Sequence, residues 1–280
     1  MRTCNAKLLL GLLLLVSCGN RNSVEVFLPN IVSANLTITS LKDSKVLLKK
    51  NIQGPTIELG VLESGIGFED IEMKISHATY VSADQKESQF EGDDYFSSMV
   101  PSDFTGNHIN INAFTTLASC RFHQVSDFVL GIKTQIREQN NLVATQWLLD
   151  EIHASVPEMN FKDIKVLDQA TIYGVILGGF EALAHQYGSQ VSKFTSFVCA
   201  DLEYDGVLNG VDQLGDISTR LVGYDDQVMK NQLARALYDF LQRNIESLET
   251  VPTSVLANEV SMSLVPSLFS PTIQNISFEP

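Results

Sequence analysis

The apolar residues of this 280-residue chain change their period near residue 112, and that change constrains the fold more than any other feature. Between Val24 and Ile111 apolar and polar residues alternate, as in Leu36-Thr37-Ile38-Thr39 and Ile71-Glu72-Met73-Lys74-Ile75. A strand turns successive side chains to opposite faces, so this period builds sheets with one face buried and one wet. Six runs carry it: VEVFL (24–28), ANLTITSL (34–41), KVLLKKNI (45–52), TIELGVL (56–62), FEDIEMKIS (68–76) and ATYVSAD (78–84). The segments KDS (42–44), QGP (53–55) and ESGIG (63–67) separate them as turns. Strands and turns at this spacing predict an antiparallel β-sandwich.

From Asn112 onward the spacing is helical. Asn112 reads as the N-cap of a helix that carries Phe114, Leu117, Ala118, Phe122 and Val125 and runs towards Arg137. Further helices are predicted over 142–156, over 168–187 with Gly188 as the residue just past the end, and over 190–200, 226–248 and 253–264. The expected fold class is therefore α+β in two domains, a β-sandwich over 24–111 and an all-α domain over 112–265, with an extended tail over 266–280.

The first twenty residues, MRTCNAKLLLGLLLLVSCGN, set Arg2 and Lys7 before an apolar run from Leu8 to Val16. A membrane-crossing helix needs about 20 apolar residues, so this run is too short to span and matches a signal-peptide core. Leu15-Val16-Ser17-Cys18 resembles the lipobox of bacterial lipoproteins. The resemblance implies removal of residues 1–17, acylation of Cys18 with palmitate-type chains, and a short lipidated tether over 18–23. Several acyl chains hold a protein to a membrane where one does not, so the chain is expected to be anchored without spanning. Gly19, where aspartate would signal inner-membrane retention, implies the outer membrane, on its cell-surface or its periplasmic face. The other reading is cleavage one or two residues later, with Ser17 and Gly19 as the small pair, which gives a soluble secreted protein.

Charge narrows the partners. The net charge is −14, and loss of Arg2 and Lys7 with the signal makes it more negative still. Such acidity argues against nucleic acid as a partner. Of four cysteines, Cys4 leaves with the signal and Cys18 is acylated, so Cys120 and Cys199 remain. Two readings of that pair stay open: a disulfide closing a loop of about 80 residues, worth roughly 4 kcal/mol, or two separate buried thiols.

Chemistry-bearing motifs are few. Residues 201–212, DLEYDGVLNGVD, align with a twelve-residue calcium loop that puts Asp201, Glu203 and Asp205 at positions 1, 3 and 5, Gly206 at the turn, and Asp212 at position 12. The competing reading is an ordinary Asp-Gly/Asn-Gly turn between helices, closed by side-chain-to-backbone hydrogen bonds. The run FEGDDYF (90–96) reads as an exposed acidic hairpin rather than a second cation site. The five histidines show no metal-ligand spacing and are expected at the surface or core edge, and Trp147 is expected in the core. Nucleophile-elbow, Walker and dinucleotide-binding signatures are all missing from the sequence.

ISHATYVSAD (75–84), INAFTTLAS (111–119), and YGVILGGFEALAHQYG with DLEYDGVLNG (173–188 and 201–210) resemble segments of a group of bacterial surface lipoproteins. In that group a prealbumin- or Ig-like sandwich precedes a helical domain. Ala113 stands where the group has proline, Asn209 replaces an acidic residue, and the 201–210 loop is one residue longer. The resemblance implies a cell-surface adhesion or scaffold module without catalysis, engaging a protein or a glycan. The alternative is a small-molecule or glycan-binding protein, or an enzyme, using a pocket in the helical domain.

Overall fold

A computed structural model describes residues 23–82, 86–124, 131–146, 149, 151–153, 169–205, 209–221, 235, 236 and 239. The signal, Cys18, Trp147, nearly all of 226–248, the 253–264 segment and the tail over 266–280 lie outside the described residues.

The architecture is mixed α+β. Strands β1 (Ser23–Phe27), β2 (Ile31–Ser40), β3 (Val46–Gln53) and β4 (Thr56–Gly60) are followed by a helical turn at Val61–Ser64. Then come β5 (Ile71–Val81), β6 (Glu87–Gln89), β7 (Tyr95–Val100) and β8 (His108–Asn110). One sheet runs β4-β1-β8; the larger runs β3-β2-β5, with β6 and β7 sharing the far edge of β5. Pairing is antiparallel except that β8 lies parallel to β1, with Glu25 opposite His108. That parallel return points the chain out of the sheet and into the first helix.

FEDIEMKIS and ATYVSAD, expected as two strands, form the single strand β5. The buried residues of β5 are Ile71, Met73 and Ile75, then Ala78 and Tyr80, so the alternation slips by one. His77 is the extra residue. It has φ of 50°, and opposite it three residues of β2 (Ser33 to Asn35) match four of β5 (Ser76 to Thr79). A bulge of this kind absorbs one residue, after which the same face stays buried.

Four longer helices follow: α1 (Ala113–Gln124), α2 (Ile132–Gln146), α3 (Gln169–Gln186) and α4 (Val191–Asp205). The helix expected to run from Asn112 to Arg137 is thus two elements, and residues 142–146 close α2 rather than open another helix. Gly131, at φ of 81° just before α2, takes a conformation other residues rarely adopt. Gly188 ends α3 at φ of 65°: its N–H donates to the His185 carbonyl, and Ser189 N–H donates to Ala184. This is the paired closure of a Schellman cap. A small hairpin, β9 (Val211–Asp212) and β10 (Gly215–Asp216), follows α4 where no strand is expected.

The Asn112 cap explains the strand-to-helix switch. Its Oδ1 accepts from Phe114 N–H at 2.9 Å and Thr115 N–H at 3.2 Å, while its own N–H donates to Thr115 Oγ1 at 2.9 Å. That reciprocity is a capping box. The same threonines also close the sheet. Ser97 N–H on β7 donates to Thr116 Oγ1 at 2.9 Å, and Thr115 Oγ1 donates to the Ser97 carbonyl at 2.7 Å. Two hydroxyls of α1 thereby satisfy backbone groups on the β7 edge, which would otherwise be open to another strand.

One buried cluster takes Val24, Val26 and Leu59 from the smaller sheet, Leu36, Ile38 and Ile75 from the larger, and Phe114, Phe180 and Phe194 from the helices. Cys120 on α1 and Cys199 on α4 are disulfide-bonded, with Cα atoms 5.6 Å apart. Of the two readings the sequence left open, the structure therefore has the bonded pair.

Candidate functional site

The 201–212 segment does not assemble a calcium cage from its described residues. The calcium alignment requires loop backbone from Asp201, but α4 continues to Asp205. Residues two apart on a helix point about 200° apart, so Asp201 and Glu203 diverge. Asp201 is fully buried and accepts from Asn209 N–H at 3.1 Å and Gly210 N–H at 3.0 Å, which fastens the turn. Asp212 accepts from Leu214 N–H at 2.8 Å and pairs with the Arg220 guanidinium. Glu203 lies towards His123, and burial pushes its carboxyl above the usual range, with the His123 charge opposing. The side chain of Asp205 and residues 206–208 lie outside the described residues. Among the described residues, no three His, Cys, Asp or Glu side chains gather as a metal site.

Glu203 belongs instead to a polar cluster where α1 and α4 meet β5 and β7. His123 Nε2 is 3.6 Å from Glu72 Oε1, and this bond raises the imidazole pKa against the effect of burial. Lys74 Nζ sits 3.5 Å over the Tyr95 ring. Burial, with Glu203 and Glu72 nearby, pushes the Tyr95 hydroxyl up to about 12. The His123–Glu72 contact joins α1 to β5, and Lys74 over Tyr95 joins β5 to β7.

The acidic hairpin divides in a way the sequence does not announce. Glu91 and Asp93 are exposed as expected, but Asp94 is buried against the first turn of α4 and accepts from Ser192 Oγ at 3.2 Å. A carboxylate there favours the positive end of the helix dipole. Burial nonetheless raises its pKa, with Lys193 opposing.

His153 also departs from expectation: it is in a turn rather than a helix and is buried. Its Nδ1 accepts from Asn110 N–H at 3.3 Å, and burial pushes its pKa down to about 4, so it is neutral at physiological pH. Beside it, Asn110 Nδ2 and the Tyr173 hydroxyl both donate to the Ile152 carbonyl, at 3.0 and 2.9 Å, and Asn112 Nδ2 donates to Tyr173 at 3.1 Å. This network ties β8, α1, α3 and the 152–153 turn together.

Among the described residues, two concavities stand out. A cleft walled by Ile31, Tyr80, Phe96, Leu177 and Val191, with Glu181 in its lining, has about 40 Å³ of free volume. That holds a few waters and falls far below the roughly 300–1,000 Å³ of a small-molecule site. The other is a hollow of about 480 Å³ on the outward face of the larger sheet. Asn51, Asn35 and Ser76 line up across β3, β2 and β5, with Lys49 opposite Thr37 in the next row and His77 turned out by the bulge. Sequence reasoning missed this site. The available signal was that the outward positions of β2 and β3 are amides, hydroxyls and lysines in a chain rich in carboxylates. Among the described residues, no helix is long and apolar enough to cross a membrane. Compared with family models, with curated proteins and with solved structures, the chain matches none.

Proposed function

We propose that this chain is a lipid-anchored bacterial surface protein that acts as a non-catalytic binding module. In this reading the two sheets form an Ig- or prealbumin-like sandwich whose larger sheet presents the binding face, with the helices buttressing its β7 side. The single observation that carries the reading is the open, polar outward face of β2, β3 and β5, which holds the larger of the two concavities. Anchoring rests on Leu15-Val16-Ser17-Cys18, and the outer-membrane placement on Gly19. The sandwich is supported by the shared buried cluster, to which both sheets contribute alternate residues.

The test is intact-mass analysis and fatty-acid labelling of the native product, together with protease shaving of whole cells. The expected outcome is an acylated N-terminus at Cys18, lost in Cys18→Ala, on a chain that added protease removes. An unmodified N-terminus released into the medium would overturn the anchored reading.

A further inference from the structure

We infer that the end of the molecule where the chain enters β1 lies against the anchoring membrane, with Phe68 and Val46 dipping into the lipid interface. The inference rests on the reading of Cys18 as the anchor and adds a second contact, which fixes how the protein stands on the membrane.

Connectivity comes first. β1 starts at Ser23, opposite Gly60, the last residue of β4. The helical turn Val61–Ser64 leaves Gly60 directly and leads through Gly65 to Phe68. Gly65 packs so near the start of β3 that a Cβ there would meet Leu47 Cδ1 at 2.7 Å. Leu41 N–H donates to the Asp70 carbonyl at 2.8 Å, and Ser40 N–H donates to the Lys45 carbonyl at 2.9 Å. The start of β1, the 40–46 turn and the 65–70 segment therefore share one end of the molecule. Helix α1 begins at the other end: β1 runs away to Phe27, whose carbonyl accepts from Ile111 N–H beside the Asn112 cap.

The tether sets the distance. Five residues, Cys18 to Asn22, precede Ser23. Fully extended, a segment of that length spans about 18 Å. Acyl chains on Cys18 hold this end of the molecule within that reach of the headgroups.

Two apolar side chains stand out into solvent there. Phe68 is 63% exposed and Val46 is 45% exposed. Ile66, two residues before Phe68, is buried to 2%, so one turn sends one apolar side chain inward and the other out. Single exposed apolar residues are ordinary on any protein surface, and what distinguishes these two is their place beside the tether. The exposed charges next to them are of both signs, Lys42 and Lys45 with Asp43 and Glu69. Attraction to anionic lipid is therefore not the source of the contact; buried apolar area is. The strands rise from this end, so the open face of the larger sheet stands clear of the lipid.

The experiment uses the full acylated chain in phosphatidylcholine vesicles. Cys120 and Cys199 are bonded to each other, so with Cys18 acylated and Cys4 removed an introduced cysteine is the single free thiol. A nitroxide is attached at Phe68→Cys, at Val46→Cys or, near the start of β2 at the opposite end, at Val32→Cys. Positions 68 and 46 should favour oxygen over a water-soluble nickel chelate several-fold more than position 32 does. Phe68→Ser, added to the chain labelled at position 46, should cut the inserted fraction about tenfold with the urea midpoint unchanged. Added salt should leave the insertion as it is. Position 68 in water on an acylated chain would overturn this inference and leave the anchor standing, whereas an unmodified native N-terminus takes down both. Equal insertion at position 32, a contact that needs anionic lipid, or spin–spin broadening between labels at 68, the mark of a second copy on this face, would also overturn it.

Discussion

Protonation of His153 governs how the fold responds to acid. Its ring is neutral and buried, with a folded pKa of about 4 against the ordinary 6.5. The unfolded chain therefore takes up a proton first as pH falls. The contribution is fully present above pH 6.5, declines between 6.5 and 4, and is flat below both, a span worth roughly 3 kcal/mol. Urea midpoints of the wild type should fall over that window, and in His153→Gln the slope should flatten. His123 acts with the opposite sign. Its pKa is raised by Glu72, so its contribution is present below pH 6.5 and is lost as pH rises through the folded value. With the side chain 48% exposed, that effect is small. The aspartates at 201 and 212 stand out in the sequence under two readings, a calcium loop and a turn closed by side-chain-to-backbone hydrogen bonds, and the bonds they make are those of the turn. Each already accepts from backbone N–H groups, so millimolar calcium should leave the melting temperature unchanged; a clear rise would show that the loop ligates.

At the scale of elements, the join between β8 and α1 concentrates the most consequence in the fewest residues. Thr115 and Thr116 are both buried, and their hydroxyls serve the backbone of Ser97 as well as that of their own helix. Thr116→Val keeps the shape but leaves the Ser97 N–H without its acceptor, a loss of about 1–3 kcal/mol measurable by urea unfolding. Thr116→Ser should retain most of it. The Asn112 cap was readable because N-caps follow local chemistry, and Gly188 was readable for the same reason. The break at Gly131 was not, because residues on both sides keep a helical pattern. Strand β7 was also hidden: Ser97 and Ser98 are buried polar residues, so YFSSMV shows no alternation. The bulge did leave a mark, a slip of one in the apolar phase of β5, but such a slip reads equally well as the end of one strand and the start of another.

Across the whole molecule, sheets and helices share one buried cluster, and the Cys120–Cys199 bond fastens α1 to α4 across a separation of 79 residues. Closing a loop of that length restrains the unfolded chain by roughly 4 kcal/mol in the chain-entropy account. The double variant Cys120→Ser/Cys199→Ser should lose stability of that order, seen as a lower urea midpoint under oxidising conditions. Under reducing conditions the wild type should fall to meet it. A variant matching the oxidised wild type would mean that packing alone, including the Phe114–Phe180–Phe194 ring contacts, carries the helical layer.

Local patterns by themselves determined the class of this protein: alternation makes strands, helical spacing makes helices, and a capping asparagine sets where one gives way to the other. They act over a few residues, so they need no knowledge of the fold. Tertiary structure alone decided which surface is left open. The row of Asn51, Asn35 and Ser76 exists only because β3, β2 and β5 pair in this register, and His77 faces outward only because a bulge displaces it. Pairing between strands distant in sequence sets such neighbours, and no single strand carries that information.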